Sequence, residues 1–216
     1  MSLVGLQRVS EAVPYFESVL ASDQTIPDPI MAKYKVGGSI QISVTPLVMV
    51  NVPLSNVAVA LILAEAYQLS NQRQKAIELL ESLGAEAEDV AVFALSLADL
   101  YGEANEWNDV VRVTEGVRTN EDDVTLHVLT FRAEALNELG MTEGALAITK
   151  EALRTKKRLP ELLRLARYIR GLAYEKAGKA SMAKKEFEKV YAEDARFADV
   201  AARLGLADAP PRPDVL

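Results

Sequence analysis

His127 is the single histidine of this 216-residue chain, and cysteine is absent. Without thiols there are no disulfides, no thiolate metal sites and no cysteine nucleophiles. One imidazole cannot supply a multi-histidine metal site, and it leaves one candidate for a histidine relay. Such a relay can be drawn from His127 with the hydroxyl of Thr125 or Thr130 and the carboxylate of Asp123, because acyl transfer needs a nucleophile, a base and a group that orients the base. No nucleophile elbow or oxyanion loop accompanies those residues. The carboxylate pairs Glu65 with Asp99 and Glu134 with Glu138 fall on helical stretches at the spacing of solvated faces. Gly37-Gly38 are the only adjacent glycines, and they lack the lysine and helix that follow a phosphate-binding loop. Trp107 opens a helical stretch, where a ring packs between helices more readily than it stacks on a ligand. No catalytic residue, metal or cofactor is expected.

The elements that carry these residues are helical by composition. Apolar residues make up 50% of the chain, aromatic ones 6% and charged ones 25%, the balance of an alanine- and leucine-rich all-α protein. The net charge of -7 and pI near 4.9 exclude a dedicated nucleic-acid binder, which needs a positive face. Thirteen basic and five acidic residues lie between Lys150 and Lys189, against 11 and 26 elsewhere. A solvated basic face accounts for that run, and a docking surface for an acidic partner or for another copy is the sharper alternative. Met1 to Gly5 carry no basic residue, and Arg8 and Glu11 interrupt any apolar core of a signal peptide. Val36 to Ala64 run without a charge, but Gly37, Gly38, Pro46 and Pro53 interrupt the stretch and its first part alternates. No membrane insertion is expected, and the expected location is cytoplasmic.

An internal repeat organises the rest. Ala64-Glu-Ala-Tyr67, Ala98-Asp-Leu-Tyr101, Ala133-Glu-Ala-Leu136 and Gly171-Leu-Ala-Tyr174 each set a small residue three places before a large one. Ala76, Val110, Ala145 and Ala183 recur at the same offsets of 34, 35 and 38 residues, as do Leu83, Val117, Ala152 and Val190. Antiparallel helices approach closely where glycine or alanine removes bulk, and the larger side chain fills the gap one turn later. Asn71, Asn105, Gly140 and Gly178 stand where the first helix of each pair must turn, a place for positive φ. The pattern predicts helices over 55–69, 72–83, 89–104, 106–118, 122–139, 142–155, 160–177 and 180–192.

The period and the small-to-large pattern resemble the tetratricopeptide repeat (TPR) family, most fully in Gly171, Tyr174, Gly178, Ala183 and Phe187. The usual closing proline is replaced by Glu88, Asp122, Lys157 and Ala195. The resemblance implies an all-α, right-handed α-α superhelix, to which the alternating residues ahead of Ser55 add a small β-hairpin insertion near the N-terminus. As one domain over 1–216, it reads as a partial first repeat at 10–22, a β insertion at 26–53, four repeats at 55–192, a capping helix at 195–206 and a flexible tail at 207–216. In the insertion Ile40, Ile42 and Val44, then Val48, Val50 and Val52, alternate with polar residues. A hairpin turning at Thr45-Pro46 is expected, with a turn at Gly37-Gly38 and an outer strand at Lys33 to Val36 as the alternative. The β insertion ahead of Val52-Pro-Leu-Ser55, followed by the repeats and by Thr119-Asn-Glu-Asp-Asp123 and Ala192-Glu-Asp194, is similar to a group of uncharacterised actinobacterial TPR proteins. Gly38-Ser-Ile-Gln-Ile-Ser43 and Glu106-Trp-Asn-Asp-Val110 alone carry a more distant likeness, to the TPR domain with a β-finger at the N-terminus of type VII secretion AAA+ ATPases.

The family implies a protein-interaction scaffold without catalysis, or else a regulatory domain excised from a larger protein such as a secretion ATPase. Its groove positions correspond here to Leu61, Glu65, Ser96, Asp99, His127, Thr130, Glu134, Tyr168 and Leu172. Lysine, asparagine and arginine, which many family members use to hold acidic C-terminal tails, are missing from these positions. A basic or apolar protein or peptide is therefore the expected ligand. Residues 38–52 are a candidate surface for self-association, since a lone hairpin needs one face covered.

Overall fold

A computed structural model of the chain describes residues 6–22, 33, 37–84 and 90–206. The expected outer strand at 33–36 and the tail at 207–216 fall almost wholly outside them. The chain divides into two compact units, Met1–Ala104 and Asn105–Leu216.

In the first unit, α1 (Leu6–Ala21) is followed by strands β1 (Ser39–Thr45) and β2 (Val48–Pro53), then by α2 (Asn56–Leu69), α3 (Arg73–Gly84) and α4 (Val90–Glu103). Helix α2 starts where Ser55, extended at φ -158°, accepts a hydrogen bond from the Ala58 N–H at 3.3 Å, closing one of the open donors of the first turn. α2 and α4 are apolar on nearly every side, as helices must be when packed all round. α2 lies against α1, α3 and β1, and α4 against α3 and β1. Tyr67, buried on α2, donates to Glu17 of α1 at 2.5 Å.

The hairpin turns at Pro46-Leu47, one residue beyond the expected Thr45-Pro46, with the pairing Ser39↔Pro53 through Ser43↔Met49. A bulge between Ser43 and Thr45 pairs Thr45 with Val48, so Thr45 takes the inward position that strict alternation would give to Val44. Thr45, Ile42 and Val48 are buried, and the Val48 N–H donates to Thr45 Oγ1 at 3.2 Å.

The second unit holds α5 (Trp107–Thr114), α6 (Asp123–Glu138), α7 (Thr142–Ala152), α8 (Pro160–Lys176), α9 (Ala180–Glu193) and the single turn α10 (Val200–Arg203). Successive helices pack in order, and α6 also packs on α8. The helices expected over 106–118 and 142–155 stop early, at Thr114 and Ala152. Asp122 and Thr125 form a reciprocal capping box that starts α6. Three first helices close with the same pair of backbone bonds: Asn71 N to Gln68 O and Gln72 N to Tyr67 O, Gly140 N to Asn137 O and Met141 N to Leu136 O, Gly178 N to Glu175 O and Lys179 N to Tyr174 O. Asn71, Gly140 and Gly178 all have positive φ, which this closure requires.

One close helix contact is between α8 and α9. A Cβ on Gly171 would lie 2.4 Å from the Phe187 ring, so only glycine fits beneath that side chain. The positions equivalent to Phe187 are Leu80, Thr114 and Thr149, and those equivalent to Gly171 are Ala64, Ala98 and Ala133; the larger ring meets the smaller partner. Phe187 is 1% exposed, as the repeat pattern requires, but Tyr174 is only half-buried. The equivalent Tyr67 is covered by α1, whereas the Tyr174 hydroxyl finds no hydrogen-bond partner among the described residues.

Candidate functional site

In the first unit a small cleft opens between β1 and the helices, lined by Ile42, Ser43 and Val44 of the strand, Leu61, Glu65 and Gln68 of α2, and Ser96 and Leu100 of α4. Three expected groove residues, Leu61, Glu65 and Ser96, thus come together here. Asp99 joins them through Gln68, whose amide donates to Asp99 at 3.0 Å and to Glu103 at 2.9 Å. Burial raises the Asp99 carboxyl to about 6; the bond from Gln68 opposes that shift and the charge of Glu103 adds to it. Burial also raises Glu65, which has no ion-pair partner among the described residues. Leu61 is buried and forms part of the floor. Ser96 spends its hydroxyl proton on the Val92 carbonyl at 3.1 Å.

In the second unit His127, Thr130, Glu134 and Glu138 recur along one face of α6. His127 is 4% exposed and stacks on Phe131 with ring centroids 4.7 Å apart. Burial lowers its pKa to about 4, which keeps the imidazole neutral. The relay drawn from sequence does not assemble: Thr130 donates to the Leu126 carbonyl at 2.8 Å, Thr125 is held in the cap of α6, and Asp123 accepts from the Leu159 N–H at 2.9 Å. Glu134 is raised to about 7, first by burial and then by Glu138. Glu138 pairs with Lys176 at 2.9 Å, while Glu134 has no cation among the described residues.

Four of the nine expected groove residues lie inside the packing. Leu61, His127, Thr130 and Tyr168 are buried and present little surface to a ligand, because each is packed by a neighbouring helix or by its own turn. Tyr168 is committed to the end of the second unit. Its ring meets Phe187 at 5.8 Å and Phe197 at 5.5 Å, and its hydroxyl donates to Asp199, which also accepts from Arg203. Glu65, Ser96, Asp99, Glu134 and Leu172 keep partial exposure. The reading from sequence missed Gln68 and Glu103, which stand three and four residues beyond Glu65 and Asp99; the helical spacing was the available signal.

The basic run is largely spent within its own unit. Arg154, Arg164, Arg167, Arg170, Lys176, Lys179, Lys184 and Lys189 each pair with a carboxylate of the second unit. Nineteen basic residues there balance nineteen acidic ones, and the first unit holds five basic against twelve acidic. The net negative charge thus belongs to the first unit. Among the described residues no helix is long and apolar enough to cross a membrane, and no cluster of side chains has the make-up of a metal site.

Residues 32–212 match the family model of the T7SS, ESX-1 secretion system protein EccA1, N-terminal domain. The chain belongs to that family. The crystal structure of the N-terminal domain of the EccA1 ATPase from the ESX-1 secretion system of Mycobacterium tuberculosis superposes with a TM-score of 0.62 at 20% identity, over 78% of this chain. The chain spans 62% of that domain. A protein from Podosopora anserina described as a kinesin light chain with nearly identical TPR-like repeats aligns at 24% identity and a TM-score of 0.56, over 88% of each chain. A single-residue variant of that protein aligns at 22% identity and 0.57, over 92% of this chain and 89% of the other. These superpositions show a shared TPR-like fold of helix pairs. No curated protein matches in sequence.

Proposed function

We propose that the chain is a non-catalytic protein-interaction domain for basic or apolar partner segments, with one candidate face carrying Glu65, Ser96 and Asp99 in the first unit and a second, considered by itself, carrying Glu134 and Leu172 in the second unit. The observation that carries this reading is the pair Glu65 and Glu134, carboxylates at equivalent repeat positions that burial raises and that no cation of the described residues neutralises. A lysine or arginine from a partner would supply the missing charge, and an acidic tail would add to the repulsion. Family membership supports a role as the accessory domain of a cytoplasmic secretion ATPase in an actinobacterium, with the chemistry supplied by a different domain. A pull-down from the native cell compares the intact chain with the variant Glu65→Gln, Asp99→Asn, Glu134→Gln. Loss of the captured partner in the variant is expected; equal capture by both would remove these faces from the binding site.

A further inference from the structure

The hairpin register determines which backbone groups of β2 face away from the sheet. The Leu54 N–H donates to the Gly38 carbonyl at 2.9 Å, directly beyond the pair Ser39↔Pro53. Hydrogen-bonded and non-bonded pairs alternate in an antiparallel ladder, so Ile40↔Val52 and Ile42↔Val50 are the bonded pairs. Met49, Asn51 and Pro53 therefore turn their backbone groups to the outer edge. Their side chains are exposed as well, Met49 to 58%. The sheet has two strands, and it is β1 that packs on α2 and α4, so β2 is the open side among the described residues.

Edge strands are usually guarded by a lysine, an inward charge, a central proline or a bulge. The residues from Val36 to Ala64 contain no charge, the bulge lies in β1, and Pro53 removes one N–H at the end of the strand only. The edge is thus open to a further strand, and charge decides which. The first unit carries twelve acidic residues against five basic. Two copies meeting at this edge would bring like charge to like, whereas an extended cationic segment would be drawn to it. We propose that the outer edge of β2 receives an extended, lysine- or arginine-rich segment of a partner protein as a third strand, laddered to Met49 and Asn51. This surface is separate from the helix faces assigned above.

The probe is a blocked, fluorescent peptide of about ten residues alternating lysine and valine, long enough for one strand, titrated with the full chain at low ionic strength. Saturable binding is expected for it and none for the glutamate–valine counterpart. On binding, the amides of Met49 and Asn51 should gain protection from hydrogen exchange, while those of Val50 and Val52 are already protected. Asn51→Pro removes an outward N–H and leaves the ladder to β1, so it should weaken binding by about tenfold or more with an unchanged melting temperature. Absence of binding, equal binding of both peptides, or binding without protection at Met49 and Asn51 would overturn the proposal. So would a peptide-free dimer that Asn51→Pro dissociates, which would give the edge to a second copy.

Discussion

Glu134 and His127 lie on the same face of α6, and burial moves their titrations in opposite directions. The Glu134 pKa is raised to about 7, so between its unfolded value and 7 the folded chain holds a proton that the unfolded chain has released. Its contribution to stability therefore falls as the pH rises through that window. His127, lowered to about 4, acts in the reverse sense: the unfolded chain binds the extra proton, and stability falls as the pH drops below its unfolded value towards 4. Glu134→Gln should raise the melting temperature at pH 8, for a gain of about 1–2 kcal/mol, and change it little at pH 4.5. Thermal melts of the two proteins across that range check the sign. At Gly171 the limit is steric. Gly171→Ala should cost about 1–3 kcal/mol by overpacking against Phe187, and Phe187→Leu in the same chain should recover part of the loss, which denaturant titration of the single and double variants measures.

At the scale of elements, helix ends and one loop carry most of the specificity. The closures at Asn71, Gly140 and Gly178 need positive φ; Gly178→Ala should cost about 1–2 kcal/mol and Asn71→Gly little or nothing, by the same titrations. The loop ahead of α6 is fastened by Asn120, which is 2% exposed. Its amide donates to the Ala152 carbonyl at 2.6 Å and its carbonyl accepts from Arg158 at 2.8 Å. Asn120→Ala should cost about 2–3 kcal/mol, because a buried carbonyl and a guanidinium both lose partners. The helix pairs and their turns were legible because small residues and turn residues recur at repeat spacing. Asn120 was not, since its partners stand more than thirty residues away and nothing local marks them. The early end of α7 was hidden for the opposite reason: Leu153, Arg154 and Thr155 are helix-compatible and no glycine announces the stop, whereas α5 ends two residues ahead of Gly116, a local signal that the repeat spacing overrode.

For the whole molecule, the division into two units and the distribution of charge between them set the expectations. Repeat arrays gain stability from nearest neighbours, so residues 105–206, with helices that pack in sequence, should fold alone. Circular dichroism of that fragment should show a helical spectrum and a cooperative melt; a disordered fragment would refute its independence. The amino-acid sequence by itself determined the helical class, the repeat period, the turns between paired helices and the presence of two alternating strands, because each depends on neighbours within a few residues or on a period. Tertiary structure alone decided which groove candidates keep any surface, that the basic run is neutralised by carboxylates of its own unit, and that a bulge puts Thr45 inward. Burial and ion pairing depend on what packs against a side chain from distant parts of the chain, and neither spacing nor residue type records that.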